Sequence, residues 1–385
     1  MSARKLNAWE SAGLIDAETA SRIRSWEAEN SRPLAMWAII GLGALTIGLG
    51  LISVVVANWD KVLGEVRLAV HLAALAAMLV AVWRRATVND TQQPWLSEAL
   101  LFIAGMIGLT FMGHVGQVYQ TSSPLWQPVA FWLCLFAPLL LSKGQSWLVA
   151  AMIMVATLTV IWGHVAIYAE QFERANRYAV LAWYLGTIIC FPLLFIVLGT
   201  YLRQRSARFH FWYRIEQLGF AYAIMGTSMA AVAAGFDRWS EDRLGSTIWG
   251  ASAIQGVALG LAGLAVWLLR PTQSGRATGA VLGLAGVVLV SCYPLSGGDL
   301  LPALLFFALW GGVAAASLHA GWRGVFQLAV ALLAIRLIVL SFELAGDLLM
   351  SGVGLIIAGL LILAVAWVAV RVSKRFAPVD KGEVQ

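Results

Sequence analysis

The chain has 385 residues, of which 60% are hydrophobic and only 12% are charged, and its formal net charge is +6. An ordinary soluble domain carries about 25% charged residues, so the composition excludes a soluble globular protein and indicates an integral membrane protein. The basic residues are dispersed over short loops and form no single patch, which argues against nucleic acid as a partner.

The first 33 residues are polar and of mixed charge, without the apolar core and cleavage pattern of a secretory signal. Apolar residues recur near helical spacing on both sides of Gly13, and Asp16 followed by Thr19 is typical of a helix N-cap after a turn. We therefore predict that residues 1–33 form a small cytoplasmic helical hairpin. It either lies on the membrane surface as a cap or docks a cytoplasmic protein partner.

Apolar segments long enough to cross a bilayer, about 17 to 25 residues each, recur from Leu34 almost to the C-terminus. The fold class predicted is an all-α, polytopic bundle of about twelve membrane helices over residues 34–372, followed by a cytoplasmic tail at 373–385. The predicted spans are 34–57, 66–83, 97–116, 126–141, 146–168, 177–201, 215–235, 246–269, 276–293, 299–318, 324–345 and 348–372.

The distribution of lysine and arginine gives an independent test of this topology. With twelve spans and a cytoplasmic N-terminus, about nineteen of the 26 basic residues fall in inside segments and about six in outside segments. This bias follows the positive-inside rule. It predicts that both termini are cytoplasmic.

One polar stretch, residues 113–126, interrupts the apolar run between the third and fourth predicted spans and contains no charged residue. Neutral polar groups in hydrocarbon need partners or water. By the predicted topology the stretch faces outside, as do the polar residues after the first span and near the end of the fifth. We predict an outward-facing vestibule lined by Asn58, Trp59, Asp60, His114, Gln117, Tyr119, Gln120 and His164. The alternative is a set of solvated helix ends that do not meet.

A second candidate site lies in the eleventh predicted span, where Arg336 is about a dozen residues from the start and thus near the bilayer midplane. A charge there costs at least about 2.5 kcal/mol and should face a partner inside the bundle. Glu343 and Asp347 follow on the same helical face. We predict an intramembrane ion pair among these three residues, with either a functional or a purely structural role.

The remaining reactive residues predict no metal site, cofactor or catalytic centre. Cys134, Cys190 and Cys292 are isolated in apolar segments and are interpreted as simple apolar side chains. His71 is a lone histidine in an apolar span and is interpreted as satisfied by packing. His114 has no second ligand at helical spacing, and the chain lacks a phosphate loop, a nucleophile elbow and a dinucleotide fingerprint.

Three signatures follow one another in the first part of the chain: Leu6 and Trp9 with Gly13-Leu14-Ile15, then Ala57-Asn58-Trp59-Asp60, then Gly116-Gln117-Val118-Tyr119 with Trp126. Over residues 5–165 this pattern resembles the bacterial membrane-protein family called domain of unknown function 2157. The resemblance implies a multi-pass protein of the bacterial inner membrane. It implies no particular activity and no catalytic residues.

Three functions are compatible with these patterns. The one we predict is small-solute or lipid binding, or transport, through the outer vestibule. The alternative is a non-catalytic scaffold, sensor or assembly factor that docks a partner through residues 1–33. A membrane enzyme acting on a lipid-linked substrate is the third, although its outward carboxylates are not paired as acid and base in the sequence.

Overall fold

A computed structural model describes residues 6, 9–30, 46, 62–87, 94–235, 242–294, 300–344, 356, 359–360, 362–365, 367 and 370–371. In this part of the chain the regular structure is entirely helical, with no strand. The all-α fold class is therefore confirmed for the described residues.

Twelve helices have continuous bounds within the described residues. They are α1 (Ala17–Asn30), α2 (Gly64–Thr87), α3 (Pro94–Val118), α4 (Trp126–Lys143), α5 (Trp147–Arg174), α6 (Tyr178–Ile188), α7 (Leu193–Arg205), α8 (Phe209–Ala233), α9 (Asp242–Leu269), α10 (Gln273–Cys292), α11 (Leu300–Ala320) and α12 (Arg323–Leu344).

Nine segments of the described chain are long and apolar enough to cross a membrane: α2, α3, α4, α5, α6 with α7, α9, α10, α11 and α12. Each coincides with a predicted span. A protein with these helices is a membrane protein and lies in a lipid bilayer. Spans 34–57 and 348–372 fall wholly or largely outside the described residues, so the total of about twelve and the orientation of the termini stay predictions.

Two of the predicted spans differ from single apolar helices. Span 177–201 consists of α6 and α7, because Pro192 has no N–H to continue a helical ladder and the chain makes short-range turns there, such as Phe191 N to Ile188 O at 3.1 Å. Span 215–235 corresponds to α8, which begins earlier and carries Arg214 and Glu216 near its start. That polar start keeps α8 outside the nine apolar segments.

The chain divides into two compact units, residues 1–69 and 70–385. In the first unit α1 begins with an N-cap, in which Thr19 N donates to Asp16 Oδ1 at 3.1 Å. The preceding turn has Gly13 at φ +70°, a left-handed conformation that glycine adopts without strain. Both local features agree with the sequence pattern, whereas most of the other residues before position 62 lie outside the described part.

The described residues of the second unit form two apolar clusters that share helix α8. The first cluster lies among α2 to α5 and is centred on Trp132, Leu140 and Val149. The second lies among α7 to α12 and includes Leu282 and Leu309. Helix α8 contributes its first turns to the first cluster and its later turns to the second. It therefore joins the two halves.

Helices α9 and α10 approach each other through glycines. A Cβ added to Gly263 would lie 2.7 Å from the carbonyl oxygen of Gly279, and one added to Gly256 would lie 2.8 Å from that of Gly286. Small residues permit this backbone contact between membrane helices. Close packing of this pair positions the turn between α9 and α10, which carries Arg270 and Thr272.

Candidate functional site

The predicted vestibule residues have different surroundings. Asn58, Trp59 and Asp60 lie outside the described residues. Three others, Gln117, Tyr119 and Gln120, are exposed at the end of α3. Helix α3 ends there because Gln120 has φ +50° and Thr121 N donates back to Gly116 O at 3.0 Å, a left-handed C-terminal cap.

His114 is buried and contacts a second histidine on the neighbouring helix. Its Nδ1 lies 3.1 Å from Nδ1 of His71, and Nε2 of His71 lies 3.1 Å from the carbonyl oxygen of Ile107. Since a carbonyl only accepts, Nε2 of a neutral His71 carries the proton and its Nδ1 accepts from His114. His71 is therefore not a lone histidine, as the sequence pattern suggested, because it makes interhelical hydrogen bonds to α3.

His164 lies in an aromatic cluster formed by three helices. Its Nδ1 is 2.6 Å from the hydroxyl of Tyr184 on α6, and its ring lies 4.7 Å from Trp126 and 4.4 Å from Tyr168. Gly163 permits the close approach, since a Cβ there would be 2.9 Å from Cβ of Trp126. The end of the polar stretch at Trp126 thus meets the later turns of α5.

Arg336 is buried within α12 and makes an ion pair along the same helix. Its Nη1 donates to Oε1 of Glu343 at 2.8 Å, and the Glu343 side chain is 33% exposed. Asp347 lies outside the described residues. The ion pair offsets part of the free-energy cost of placing a charge within a membrane span.

A third polar centre was not singled out from the sequence. Glu216 on α8 is only 4% exposed and accepts from two arginines: Arg203 Nη1 at 2.7 Å and Arg270 Nη1 at 2.8 Å. Arg270 also donates through Nη2 to Ser274 Oγ at 2.9 Å and to Thr278 Oγ1 at 3.2 Å. We name Arg203, Glu216 and Arg270 the arginine centre.

The fold brings the arginine centre together at one end of the bundle. Gly199 allows α8 to approach α7, since a Cβ on it would lie 2.9 Å from the backbone nitrogen of Glu216. At the α9–α10 turn a Cβ on Gly275 would lie 2.1 Å from the carbonyl oxygen of Arg270. Side chains longer than hydrogen at these positions would separate the helices that supply the charges.

Other side chains make hydrogen bonds between helix ends at the same end of the bundle. Arg208 Nη1 donates to the carbonyl oxygen of Gly144 at 3.2 Å, and Arg214 donates to that of Gln145. Gln204 Nε2 donates to Leu269 O at 2.8 Å. The ends of α4, α7 and α9 therefore meet here with the start of α8, and we call this region the basic end.

A cavity of about 330 Å³ opens beside the arginine centre. It is lined by Arg203, Gln204, Phe209, Leu269, Arg270, Pro271, Thr272 and Ser274. The sequence carried one usable signal for this site: a single glutamate near the start of an apolar helix, in a segment that otherwise contains only basic charges. Its partners could not be read from that signal.

In the part of the chain that the structure describes, no group of three or more His, Cys, Asp or Glu residues could hold a metal ion. Cys134, Cys190 and Cys292 are free thiols. The described polar side chains come together as the histidine hydrogen bonds near the end of α3, as the Arg336–Glu343 pair of α12 and as the arginine centre at the basic end.

Comparison with known proteins gives one match. Residues 7–149 match the model of a family described as "Predicted membrane protein (DUF2157)". A search of curated proteins and a search of solved structures found no match. The matched region covers the chain from before α1 to the beginning of α5, including His71 and His114 but not the arginine centre. Over residues 7–149 the chain is thus similar to the DUF2157 family of predicted membrane proteins, which confirms the resemblance for that region.

Proposed function

We propose that the protein binds a small polar solute or a lipid headgroup at the bundle end where α3 ends and α4 begins. In this proposal it is a binding or transport protein of the membrane. The observation that carries the proposal is the contact between Trp126 and His164, whose ring centroids lie 4.7 Å apart. The contact supports a common site because it joins two of the polar segments that were predicted to line one vestibule.

The chemistry of this end suits reversible binding. His164 with the hydroxyl of Tyr184 offers both a donor and an acceptor, while Trp126 and Tyr168 offer aromatic faces. His71 and His114 add a second hydrogen-bonded pair, with their Nδ1 atoms 3.1 Å apart. None of these groups forms a nucleophile with a base, so binding is favoured over catalysis.

Water access to this end can be tested by cysteine labelling. In a background with Cys134, Cys190 and Cys292 replaced by alanine, we expect His164→Cys to react with a membrane-impermeant maleimide, because a vestibule is filled with water. Val155→Cys is the matched control on α5. Val155 is 61% exposed but lies deeper in the apolar span, where lipid should protect it.

Labelling is carried out in intact and in permeabilised cells, so that the reactive side of the membrane is identified as well. Ser122→Cys, in the exposed loop after α3, reports that the reagent reaches this end. An unreactive cysteine at position 164 in both samples, beside a reactive one at 122, would refute a water-filled site.

Occupancy of the site can be tested by native mass spectrometry of the full chain purified in a mild detergent. We expect a bound lipid or solute in the wild type and its loss in Trp126→Ala. The control is Trp162→Ala, an exposed tryptophan of the same helix as His164 that is 47% accessible. Equal retention by both variants would count against the proposal.

A further inference from the structure

We propose that the cavity at the basic end binds a phosphate group, carried by a lipid headgroup or by a free phosphate anion. This site is distinct from the proposed site at the end of α3 and lies outside residues 7–149, which the family model matches. Its ligand class follows from charge, donor geometry and the lining of the cavity.

The charge of the arginine centre is unbalanced. Two guanidinium groups surround one carboxylate, and all three are largely buried, with side-chain exposures of 13% for Arg203, 8% for Arg270 and 5% for Glu216. A buried charge is costly unless it is paired. One positive charge is thus left for an anion that enters the cavity.

Donor groups remain available for that anion. A guanidinium has five N–H donors, and among the described residues Arg203 uses one of them, from Nη1 to Glu216. Arg270, which is 7% exposed and lines the cavity, has a buried Nε without a hydrogen-bond partner in the described structure. Arginine forks of this kind match phosphate oxygens.

Helix α10 adds further donors at the same wall. Thr272 is its N-cap, and the Thr272 hydroxyl accepts from Gly275 N at 3.2 Å. The first N–H groups of a helix lack helical partners and favour an anion. Thr272 and Ser274 both line the cavity, so the start of α10 and the two arginines face one volume.

The other side of the cavity is apolar and fixes the arginine. Arg203 lies over the rings of Phe209 and Tyr213, with its guanidinium carbon 4.7 Å and 4.8 Å from the ring centroids. Phe209, Leu269 and Pro271 complete the wall. A cavity of about 330 Å³ falls at the lower end of the range of small-ligand sites, about 300 to 1,000 Å³. It suits a headgroup whose acyl chains stay outside, among the exposed apolar residues.

The charge bias of the sequence predicts that the basic end faces the cytoplasm, where anionic lipids give the membrane surface a negative potential. A lipid phosphate is thus available at this face of the membrane without leaving the bilayer. A free phosphate would reach the same donors from water, and the two sources are separated by the experiment.

The test uses the full chain in nanodiscs and in detergent. Binding of phosphatidylglycerol is measured by native mass spectrometry at increasing lipid, and inorganic phosphate is titrated in detergent with thermal stability as the readout. For Arg203→Gln, which leaves the Glu216–Arg270 pair in place, we expect the apparent affinity to fall about tenfold or more, as for the loss of a charge-assisted hydrogen bond. Arg174→Gln, which removes an exposed arginine elsewhere on the bundle, should stay within about twofold of the wild type.

A second variant distinguishes a loss of phosphate binding from a loss of folding. Gln204 is exposed and lines the cavity, so Gln204→Glu adds a negative charge there without emptying the core, with the loss of one exposed hydrogen bond to Leu269 O. We expect it to weaken binding as Arg203→Gln does. Gln171→Glu, at an exposed position of α5, should have no effect. Binding of the lipid alone assigns a headgroup, and binding of both probes assigns a phosphate site open to water. Equal affinity of wild type, Arg203→Gln and Gln204→Glu for both probes would overturn the proposal.

Discussion

The two apolar clusters of the second unit accommodate polar groups in different ways. Among the described residues of the first cluster the polar contacts are hydrogen bonds and not ion pairs, such as that of His71 with His114 and that of the Trp132 indole, which donates to Gly105 O at 2.9 Å. Beside the second cluster there are also buried ion pairs, with Glu216 between two arginines, next to neutral contacts such as that of the Trp310 indole, which donates to Ser228 Oγ at 3.0 Å.

The difference follows from the cost of burying charge. A neutral group in an apolar environment needs one good hydrogen bond, so it can lie well inside a span. A charge needs an opposite charge and further donors. The fold meets that need at the basic end, where several helix ends meet and arginine side chains converge.

The largest effect is expected from Glu216→Gln, because it leaves Arg203 and Arg270 buried without their carboxylate. Breaking a buried ion pair costs about 3 to 5 kcal/mol. The measurement is the free energy of unfolding by titration with sodium dodecyl sulfate in mixed micelles. The matched control is Glu170→Gln, whose pair with Arg174 is exposed, and it should change stability by about 0 to 1 kcal/mol. Equal effects would mean that the arginine centre is not a buried charge network.

A smaller effect is expected where α9 and α10 touch. In Gly256→Ala the new methyl group would lie 2.4 Å from Cγ2 of Val290 and 2.8 Å from Gly286 O, so a backbone must move, at about 1 to 3 kcal/mol. Gly260→Ala, one turn further along α9, meets no heavy atom within 4 Å and should be neutral or slightly stabilising. The same detergent titration distinguishes them. A stable Gly256→Ala protein would mean that the helix pair is less close than described.

In the first cluster we expect Trp132→Phe to cost about 1 to 2 kcal/mol, because one neutral hydrogen bond is lost and the smaller ring leaves part of a fully buried site unfilled. Gly105 lies within α3, so its carbonyl keeps its helical partner. Phe136, which stacks on Trp132 with ring centroids 5.6 Å apart, remains in place. A loss as large as that of Glu216→Gln would contradict the distinction between neutral and ionic burial.

The smallest effect is expected outside both clusters, at the N-cap of α1. The hydrogen bond from Thr19 lowers the pKa of Asp16 below its ordinary value of 3.8. Because the pKa is lower in the folded state, the cap contributes its full stabilisation of α1 at pH values above 3.8. This stabilisation is lost as the pH falls through the lowered pKa of the folded state. We expect Asp16→Ala to speed amide hydrogen exchange at Thr19 at neutral pH, and to leave exchange in α5 unchanged. No change at Thr19 would show that the cap does not protect this turn.

The sequence by itself determined those features that depend on neighbours along the chain. Hydropathy located the apolar spans, because a helix must be about twenty apolar residues long to cross a bilayer. The N-cap at Asp16 and the left-handed turn at Gly13 depend on a few consecutive residues. The pairing of Arg336 with Glu343 could also be expected, since both lie on one face of one helix.

Only the tertiary structure decided which helices meet. His71 and His114 are 43 positions apart, and Glu216 and Arg270 are 54 apart, so no local pattern links them. Helical spacing gives the face of each residue but not the neighbour of that face. The division of span 177–201 at Pro192 is similar, because membrane helices tolerate proline when neighbouring groups satisfy the freed backbone. The contacts between helices therefore decide that these charges form a buried arginine centre and not a row of solvated charges. Hydropathy along the sequence does not predict such contacts.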